Sequence, residues 1–298
     1  MAGDMLKERY MQYTISGTTR FGGLLGSPVV HSLSPAMHNT SFQELGIDCV
    51  YLAFDVTEPR LKETVSVFRQ LDTYGFNLTM PCKKAVIEYL DELSEAASLT
   101  GAVNTVVNCG GILVGHNTDG VGYVESVREN GVEICGSEIT VLGAGGAAMA
   151  AAVQMALDGA RRIHIANRRT RSWSAAQKLV DTINKETACE ADLTDLEDSR
   201  TLAQHIADSS LLTNATSAGM APGTDLTPVQ DPSVFHEGLT VSDVIYNPRQ
   251  TRLMREASER GCRTFNGMYM LLYQGAAAFR LWTGQDMPVE LIKERFFS

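Results

Sequence analysis

The chain has 298 residues, enough for two domains, and its 44% hydrophobic and 20% charged residues are typical of a globular protein. A formal net charge of −10 opposes a nucleic-acid partner, because phosphate backbones are bound by clustered lysine and arginine. No apolar run reaches the ~18–20 residues of a membrane helix, and residues 1–10 lack the apolar stretch of a signal peptide. The six cysteines are scattered without a C-x-x-C pair, so we expect reduced thiols and a cytoplasmic protein.

The first third of the chain alternates short apolar runs with helical stretches. The pattern predicts strands at residues 19–25, 50–56 and 75–79 and helices at residues 35–45, 60–71 and 83–90. This βαβ rhythm predicts a mostly parallel sheet. Residues 105–109 and 112–115, joined by Gly110-Gly111, are predicted to form a hairpin that closes the block.

A second block repeats the alternation of strands and helices. The pattern predicts helices at residues 121–129, 147–157 and 173–184 and strands at residues 139–142, 163–166, 211–214 and 240–245. A long apolar helix follows at residues 268–282, and a shorter one at residues 291–297. We expect these last two segments to pack back on the first block.

A glycine-rich loop ends the strand at residues 139–142 and opens an alanine-rich helix. Gly143 permits a tight turn, Gly145 lets the backbone approach a pyrophosphate, and the N–H groups at the helix start attract negative charge. Because the spacing G-x-G-G-x-A occurs between a strand and a helix, it predicts a dinucleotide site, and a βα turn without a ligand is the alternative. The loop residues that we assign to the cofactor are Gly143, Ala144, Gly145, Gly146 and Ala147.

The next strand ends where an acidic residue would bind the ribose 2′-hydroxyl of NAD. This chain instead has Asn167-Arg168-Arg169-Thr170-Arg171. Guanidinium groups bind phosphate through paired hydrogen bonds, so the arginines favour the 2′-phosphate of NADP, and a solvated basic turn is the alternative. We therefore predict NADP as the cofactor, with NAD possible, and assign Asn167, Arg168, Arg169 and Arg171 to its binding.

Polar residues also follow strand ends and helix starts in the first block. Ser34, before a proline, is predicted as a helix N-cap, and its hydroxyl and that of Ser32 suit a carboxylate. Lys83 comes just after the strand at residues 75–79, at the edge where α/β sheets hold ligands. Asn104 and Asp119 add an amide and a carboxylate in loops.

Together with residues 214–220, 243–248 and 267–274, these segments resemble the shikimate dehydrogenase family, including the quinate/shikimate dehydrogenases, over nearly the whole chain. The resemblance implies that Lys83 and Asp119 form a catalytic pair beside the C3 hydroxyl of shikimate. That hydroxyl must lose a proton as hydride leaves its carbon for C4 of the nicotinamide. We assign Lys83 as the acid–base group, because desolvation in a cleft can lower the pKa of a lysine. Two coupled groups titrate as a pair, so Asp119 remains an alternative carrier of the proton.

The resemblance also assigns the remaining contacts, by matching positions. It assigns Ser32 and Ser34 to the substrate carboxylate, with Tyr246 assisting. It assigns the ring hydroxyls to Thr79, Asn104, Asp119 and Gln274. The further cofactor residues that it implies are Thr216, Ser217, Val244, Gly267 and Met270.

The predicted architecture is α/β with two domains and the active cleft between them. Residues 1–119 and 266–298 would form an N-terminal α/β substrate domain, and residues 120–265 a Rossmann-type dinucleotide-binding domain. The resemblance implies shikimate and 3-dehydroshikimate as small-molecule partners, with quinate as a further candidate. We expect a monomer or homodimer. The six histidines form no H-x₃₋₅-H pair, so we predict no metal site.

Two alternatives stay open. The first is a quinate/shikimate dehydrogenase that uses NAD or both cofactors, because Arg168-Arg169 resembles that branch, although Thr170 stands where the branch has an acidic residue. The second is a non-catalytic dinucleotide-sensing protein on the same fold, because a fold alone does not establish activity. The presence of Lys83, Asp119, Asn104 and Gln274 argues against this second alternative.

Overall fold

The computed structural model describes residues 15–71 and 73–297, whose strands form two six-stranded sheets. The first sheet consists of β1 (Arg20–Gly26), β2 (Cys49–Asp55), β3 (Gly75–Leu78), β4 (Glu92–Leu93), β5 (Thr105–Cys109) and β6 (Ile112–His116), in the order β2-β1-β3-β5-β6-β4. Its helices are α1 (Ser34–Glu44), α2 (Glu58–Gln70), α3 (Cys82–Ala85) and α4 (Glu95–Thr100), and a 3₁₀ turn (Val86–Tyr89) continues α3.

This first sheet is mixed. β1 pairs in parallel with β2 and β3, and β4 in parallel with β6, whereas β5 runs antiparallel to both β3 and β6. The predicted hairpin is confirmed, with Gly110 and Gly111 at φ values of 64° and 96° that glycine adopts without a Cβ clash. The antiparallel strands bring the end of β3 beside the start of β5.

The second sheet is entirely parallel, in the order β12-β11-β10-β7-β8-β9. Its strands are β7 (Glu138–Leu142), β8 (Arg162–Asn167), β9 (Glu190–Asp195), β10 (Leu211–Asn214), β11 (Thr240–Asp243) and β12 (Arg263–Asn266). The helices in this part of the chain are α5 (Thr118–Glu129), α6 (Gly146–Leu157), α7 (Trp173–Glu186), α8 (Ser199–Asp208) and α9 (Arg252–Glu259). This strand order is that of a Rossmann-type sheet, which confirms the predicted fold class.

The C-terminal helices α10 (Met268–Thr283) and α11 (Val289–Phe296) return to the first sheet, as expected. They bury Leu272, Phe279 and Ile292 in one core with residues of α1 and β1. Trp282 adds a hydrogen bond from its indole N–H to the carbonyl of Val106 in β5 (3.0 Å). Helices α10 and α11 therefore cover part of the first sheet, although they follow the second sheet in the chain.

Helices α5 and α10 cross closely because Gly122 lacks a side chain. A Cβ atom at Gly122 would lie 2.4 Å from the backbone nitrogen of Gln274, which is closer than Cβ atoms approach neighbouring atoms in proteins. The crossing holds the first turn of α5, which carries Asp119, beside the middle of α10, which carries Gln274. Two distant segments thus meet at one end of the first sheet.

The structure corrects one local prediction and adds elements. Ser34 is not the N-cap of α1, because Leu33 occupies that position. The hydroxyl of Ser32 accepts a hydrogen bond from the backbone N–H of Ser34 (3.2 Å), so the helical turn starts one residue earlier than predicted. β9 was not predicted, since its sequence Glu-Ala-Asp-Leu-Thr-Asp lacks an apolar run. In the described ranges, no helix is long and apolar enough to cross a membrane, and residues 1–10, considered above for a signal peptide, lie outside them.

Candidate active site

A cavity of about 280 Å³ lies between the two sheets. It is lined by all eight residues predicted to contact the substrate, namely Ser32, Ser34, Thr79, Lys83, Asn104, Asp119, Tyr246 and Gln274. It is also lined by four residues predicted to contact the cofactor: Ala147, Val244, Gly267 and Met270. One cavity thus joins side chains from both ends of the chain with residues at the carboxyl edge of the parallel sheet.

Lys83 and Asp119 are in direct contact in this cavity. Lys83 lies in the short helix α3 after β3, and its Nζ donates to Oδ2 of Asp119 at 2.6 Å. Asp119 lies in the first turn of α5, where the side chain of the N-cap Asn117 accepts its backbone N–H (3.1 Å). The side chains of Lys83 and Asp119 are 29% and 18% exposed, so the pair is shielded yet open to a ligand.

Asn104 fixes the second oxygen of that carboxylate. It is buried, and its amide nitrogen donates to Oδ1 of Asp119 (2.9 Å) and to the hydroxyl of Thr118 (2.9 Å). Its side-chain oxygen Oδ1 accepts a hydrogen bond from the backbone N–H of Thr118 (2.7 Å). Oε1 of Gln274 lies 3.4 Å from the same amide nitrogen. Both Asp119 oxygens therefore have partners from neighbouring elements, which sets the orientation of the carboxylate.

Asn77 is a lining residue that the sequence analysis did not assign. It is buried in β3, and its side-chain oxygen accepts a hydrogen bond from the hydroxyl of Tyr51 (2.6 Å). Its amide nitrogen donates to the backbone carbonyl of Asn104 (3.1 Å) and to the hydroxyl of Thr105 (2.9 Å). A buried amide must have such partners, because an unpaired one costs about 1–3 kcal/mol. An asparagine within the apolar run Gly-Phe-Asn-Leu was the signal for this network.

Hydroxyl groups line the other part of the cavity. Ser34 is buried at the start of α1, Ser32 lies just before that helix, and Tyr246 is exposed beyond β11. Thr79 follows β3. Hydroxyl groups can donate hydrogen bonds to a carboxylate, so this set fits the substrate carboxylate predicted to bind there.

The glycine-rich loop has the backbone geometry expected for pyrophosphate binding. Gly143 has φ of +103°, and a Cβ there would meet the carbonyl of Ala215 at 3.0 Å, so the turn itself requires glycine. At Gly145 and Gly146, an added Cβ would have no atom within 4 Å from the described residues beyond the adjoining backbone. Gly145 is the N-cap of α6, whose first N–H groups face this open space. The residues fit a dinucleotide, with Gly143 and Ala144 shaping the turn.

The three arginines after β8 have different surroundings. Arg168 lines a second cavity, of about 560 Å³, together with Thr216 and Ser217, which were also predicted to contact the cofactor. Arg169 instead donates to Asp195 (2.9 Å) and lies over the Trp173 ring, 4.6 Å from its centroid.

Two other residues of this turn also differ from Arg168. Arg171 is exposed. Asn167 is buried and donates to the hydroxyl of Ser172 (3.0 Å), so its side chain holds the turn. Asp195 ends the unpredicted strand β9 and was not predicted from the sequence.

Comparison with known proteins gives one family. A model of the shikimate dehydrogenase substrate-binding domain matches residues 24–106, and a model of the shikimate 5′-dehydrogenase C-terminal domain matches residues 267–295. The chain is 48% identical to a shikimate dehydrogenase (NADP(+)) of Listeria monocytogenes, over 95% of this chain and 97% of that protein. It is 47% identical to a shikimate dehydrogenase (NADP(+)) of Alkaliphilus metalliredigens, over 97% of this chain and 100% of that protein.

Solved structures show the same similarity. The chain matches the crystal structure of a Listeria monocytogenes shikimate 5-dehydrogenase in complex with shikimate and NAD, with a TM-score of 0.92, 48% identity, and 94% and 97% of the two chains covered. A quinate dehydrogenase of Corynebacterium glutamicum in complex with NAD is also similar, with a TM-score of 0.83, 34% identity, and 94% and 99% covered.

Proposed function

Because this chain belongs to the shikimate dehydrogenase family, we propose that it is an NADP-dependent shikimate dehydrogenase that interconverts shikimate and 3-dehydroshikimate in the cleft between its two sheets. The observation that carries the proposal is the convergence of eight polar side chains on one cavity, with Lys83 and Asp119 in contact within it. A protein that only senses a dinucleotide would not need this pair beside the cofactor loop.

Lys83 and Asp119 form the catalytic pair in this proposal. The bound dinucleotide supplies the hydride acceptor, and the C3 hydroxyl of shikimate loses its proton to a base within hydrogen-bond reach. Lys83 is that base when its amine is neutral, and it returns the proton in the reducing direction. Asp119, held by Asn104 at its other oxygen (2.9 Å), aligns the Lys83 nitrogen and the hydroxyl. A preset alignment favours the reaction because less ordering remains for the transition state.

The polar rim orients the substrate. We assign the carboxylate of shikimate to the hydroxyls of Ser32 and Ser34, with Tyr246 assisting. We assign the ring hydroxyls to hydrogen bonds with Thr79, Asn104, Asp119 and Gln274. The cavity volume of about 280 Å³ supports a substrate of this size, with the apolar side chains of Leu24, Leu78 and Leu271 packing against the ring.

Residues at the carboxyl edge of the second sheet would hold the dinucleotide. Ala147, Val244, Gly267 and Met270 border the substrate cavity and contact the nicotinamide in this proposal. Gly143 to Gly146 and the start of α6 bind the pyrophosphate. Arg168 with Thr216 and Ser217 binds the 2′-phosphate of NADP, supported by their shared cavity, and Arg171 adds positive charge. NAD, which lacks this phosphate, is the weaker cofactor.

We also propose two units that move against each other. The substrate domain comprises residues 1–119 and 266–298, and the dinucleotide domain residues 120–265. The first boundary falls in the first turn of α5 and the second in β12. Closure of the cleft would exclude water from the hydride transfer.

Initial-rate assays with shikimate and quinate, each with NADP⁺ and NAD⁺, test the proposal. We expect the highest kcat/KM for shikimate with NADP⁺. A higher kcat/KM for quinate, or a lower KM for NAD⁺ than for NADP⁺, would favour a quinate/shikimate dehydrogenase. Binding of NADP⁺ without shikimate-dependent reduction would contradict the proposed activity.

A further inference from the structure

A second polar cluster lies at the outer edge of the parallel sheet, away from the cleft. It consists of His164 in β8, Asp192 in β9 and His205 in α8. His164 and Asp192 are directly paired in the strand register, and Nδ1 of His164 lies 2.7 Å from Oδ2 of Asp192. Nε2 of His205 lies 3.9 Å from Oδ1 of the same carboxylate. Three elements therefore contribute one side chain each, a pattern that histidine spacing in the sequence does not reveal.

Each member of the cluster has a buried polar atom that forms no hydrogen bond with any residue in the described ranges. These atoms are Nε2 of His164, Oδ1 of Asp192 and Nδ1 of His205. The His164 side chain is 5% exposed, whereas that of Asp192 is 45% exposed. Unpaired buried polar atoms are costly, so a native protein provides them with a partner or an ion. The partly exposed Asp192 side chain places the cluster next to the protein surface, where an ion can enter from solvent.

The type and spacing of the donor atoms fit a cation. One ligand atom from each residue lies within 4.8 Å of the other two. Ligand atoms around a tetrahedral zinc ion are about 3–3.5 Å apart, so small side-chain rotations suffice. Two imidazoles and a carboxylate are typical ligands of divalent transition metals.

We propose that His164, Asp192 and His205 bind one divalent transition-metal ion, such as Zn²⁺, that ties the edge strand β9 to β8 and α8. The two imidazole rings are stacked, with centroids 3.9 Å apart and planes 13° from parallel. One ring has to turn before both nitrogens face a single ion. His205, on the surface helix α8 with a side chain 16% exposed, is the residue that turns. Water completes the coordination beside Asp192.

Titration of the full-length protein tests this site. The protein is treated with EDTA, kept reduced, and its exposed thiols Cys109 and Cys135 are blocked so that they do not bind metal. Zn²⁺ is then added in a calorimeter, and Co²⁺ is followed by its visible absorption. We expect one ion per chain and a melting temperature that rises with Zn²⁺. His205→Ala and Asp192→Asn should each weaken binding at least about tenfold, because each removes a ligand.

The matched control is His236→Ala. His236 lies beside the same helix, with Nε2 3.5 Å from the carbonyl of Ile206, but is not part of the cluster. We expect this variant to bind Zn²⁺ like the wild type and all variants to retain the wild-type circular dichroism. Absence of one-to-one binding in the wild type would overturn the proposal. Equal binding by His205→Ala and the wild type would also overturn it, because the ion would then be adventitious.

Discussion

The two sheets build their halves of the cleft in different ways. On the first sheet, the proposed reacting groups are side chains held by buried amides: Asn104 bonds to Asp119, and Asn77 bonds to the backbone carbonyl of Asn104. On the second sheet, the proposed cofactor surface is mainly backbone, at a glycine loop whose Gly145 faces open space. The first half is thus fixed before substrate arrives, whereas the second half offers backbone N–H groups and surface arginines to a ligand.

This difference separates chemistry from cofactor binding. A carboxylate with both oxygens bonded does not have to reorganise when the hydroxyl reacts, which favours the transition state. A helix N-terminus with an open approach binds any pyrophosphate and leaves cofactor choice to side chains at its margin. Substitutions on the first sheet should therefore change kcat, and those on the second should change cofactor KM.

The largest effect is expected for Lys83→Ala. It removes the proposed base, so kcat should fall by about 10²–10⁴, the range typical of lost acid–base catalysis. Steady-state kinetics with shikimate and NADP⁺ measure this change. Lys84→Ala, at the exposed neighbouring position, is the matched control and should retain wild-type kcat. Substantial turnover by Lys83→Ala would show that Lys83 is not the base that accepts the proton of the hydroxyl.

The next effect is expected at the glycine loop. Gly145→Ala adds a methyl group where the pyrophosphate approaches, without contacting protein, so KM for NADP⁺ should rise by about 10–100-fold with unchanged stability. Gly143→Ala should instead lower the melting temperature, because its φ of +103° strains any residue with a Cβ. Thermal denaturation and cofactor kinetics on both variants distinguish the two roles. Unchanged cofactor KM in Gly145→Ala would contradict this binding mode.

The two halves should also respond oppositely to pH. Burial lowers the pKa of His38, in the core of the first sheet, to about 3, so its contribution to stability is lost as pH falls below about 6.5. Burial raises the pKa of Asp243, at the end of β11, to about 6, so its contribution is present below about 4 and lost as pH rises through 6. Each effect amounts to roughly 3 kcal/mol between pH 4 and 7, because one pKa unit corresponds to about 1.4 kcal/mol.

Two variants separate these contributions in urea denaturation at pH 4 to 7. The free energy of unfolding of the wild type relative to His38→Leu should decrease as pH falls. The same difference relative to Asp243→Asn should decrease as pH rises. If both differences were independent of pH, the two buried groups would not titrate as described.

The smallest effect concerns cofactor choice. Arg168 shares a cavity with Thr216 and Ser217, whereas Arg169 is paired with Asp195. Arg168→Ala should therefore raise KM for NADP⁺ by about tenfold, and Arg169→Ala by less, with KM for NAD⁺ unchanged in both. Equal effects of the two substitutions would show that Arg169 leaves its partner to bind the phosphate.

Sequence patterns predicted the strands that are apolar and buried, such as β7 and β10, to within one residue. They did not predict β9, a polar edge strand whose pairing with β8 comes from tertiary contact. The residues of the cleft could be predicted because motif positions mark them, but the network through Asn77 could not, since it depends on which strands become neighbours. For the same reason, histidine spacing did not reveal the cluster of His164, Asp192 and His205.

The central claim is that the first sheet performs the chemistry while the second holds the cofactor. The dissociation constant of NADP⁺ for Lys83→Ala, measured by calorimetry beside the turnover of the same protein, tests it most directly. We predict a dissociation constant within about twofold of the wild type together with a loss of turnover of at least about 100-fold. A dissociation constant that rises in parallel with the loss of turnover would contradict it.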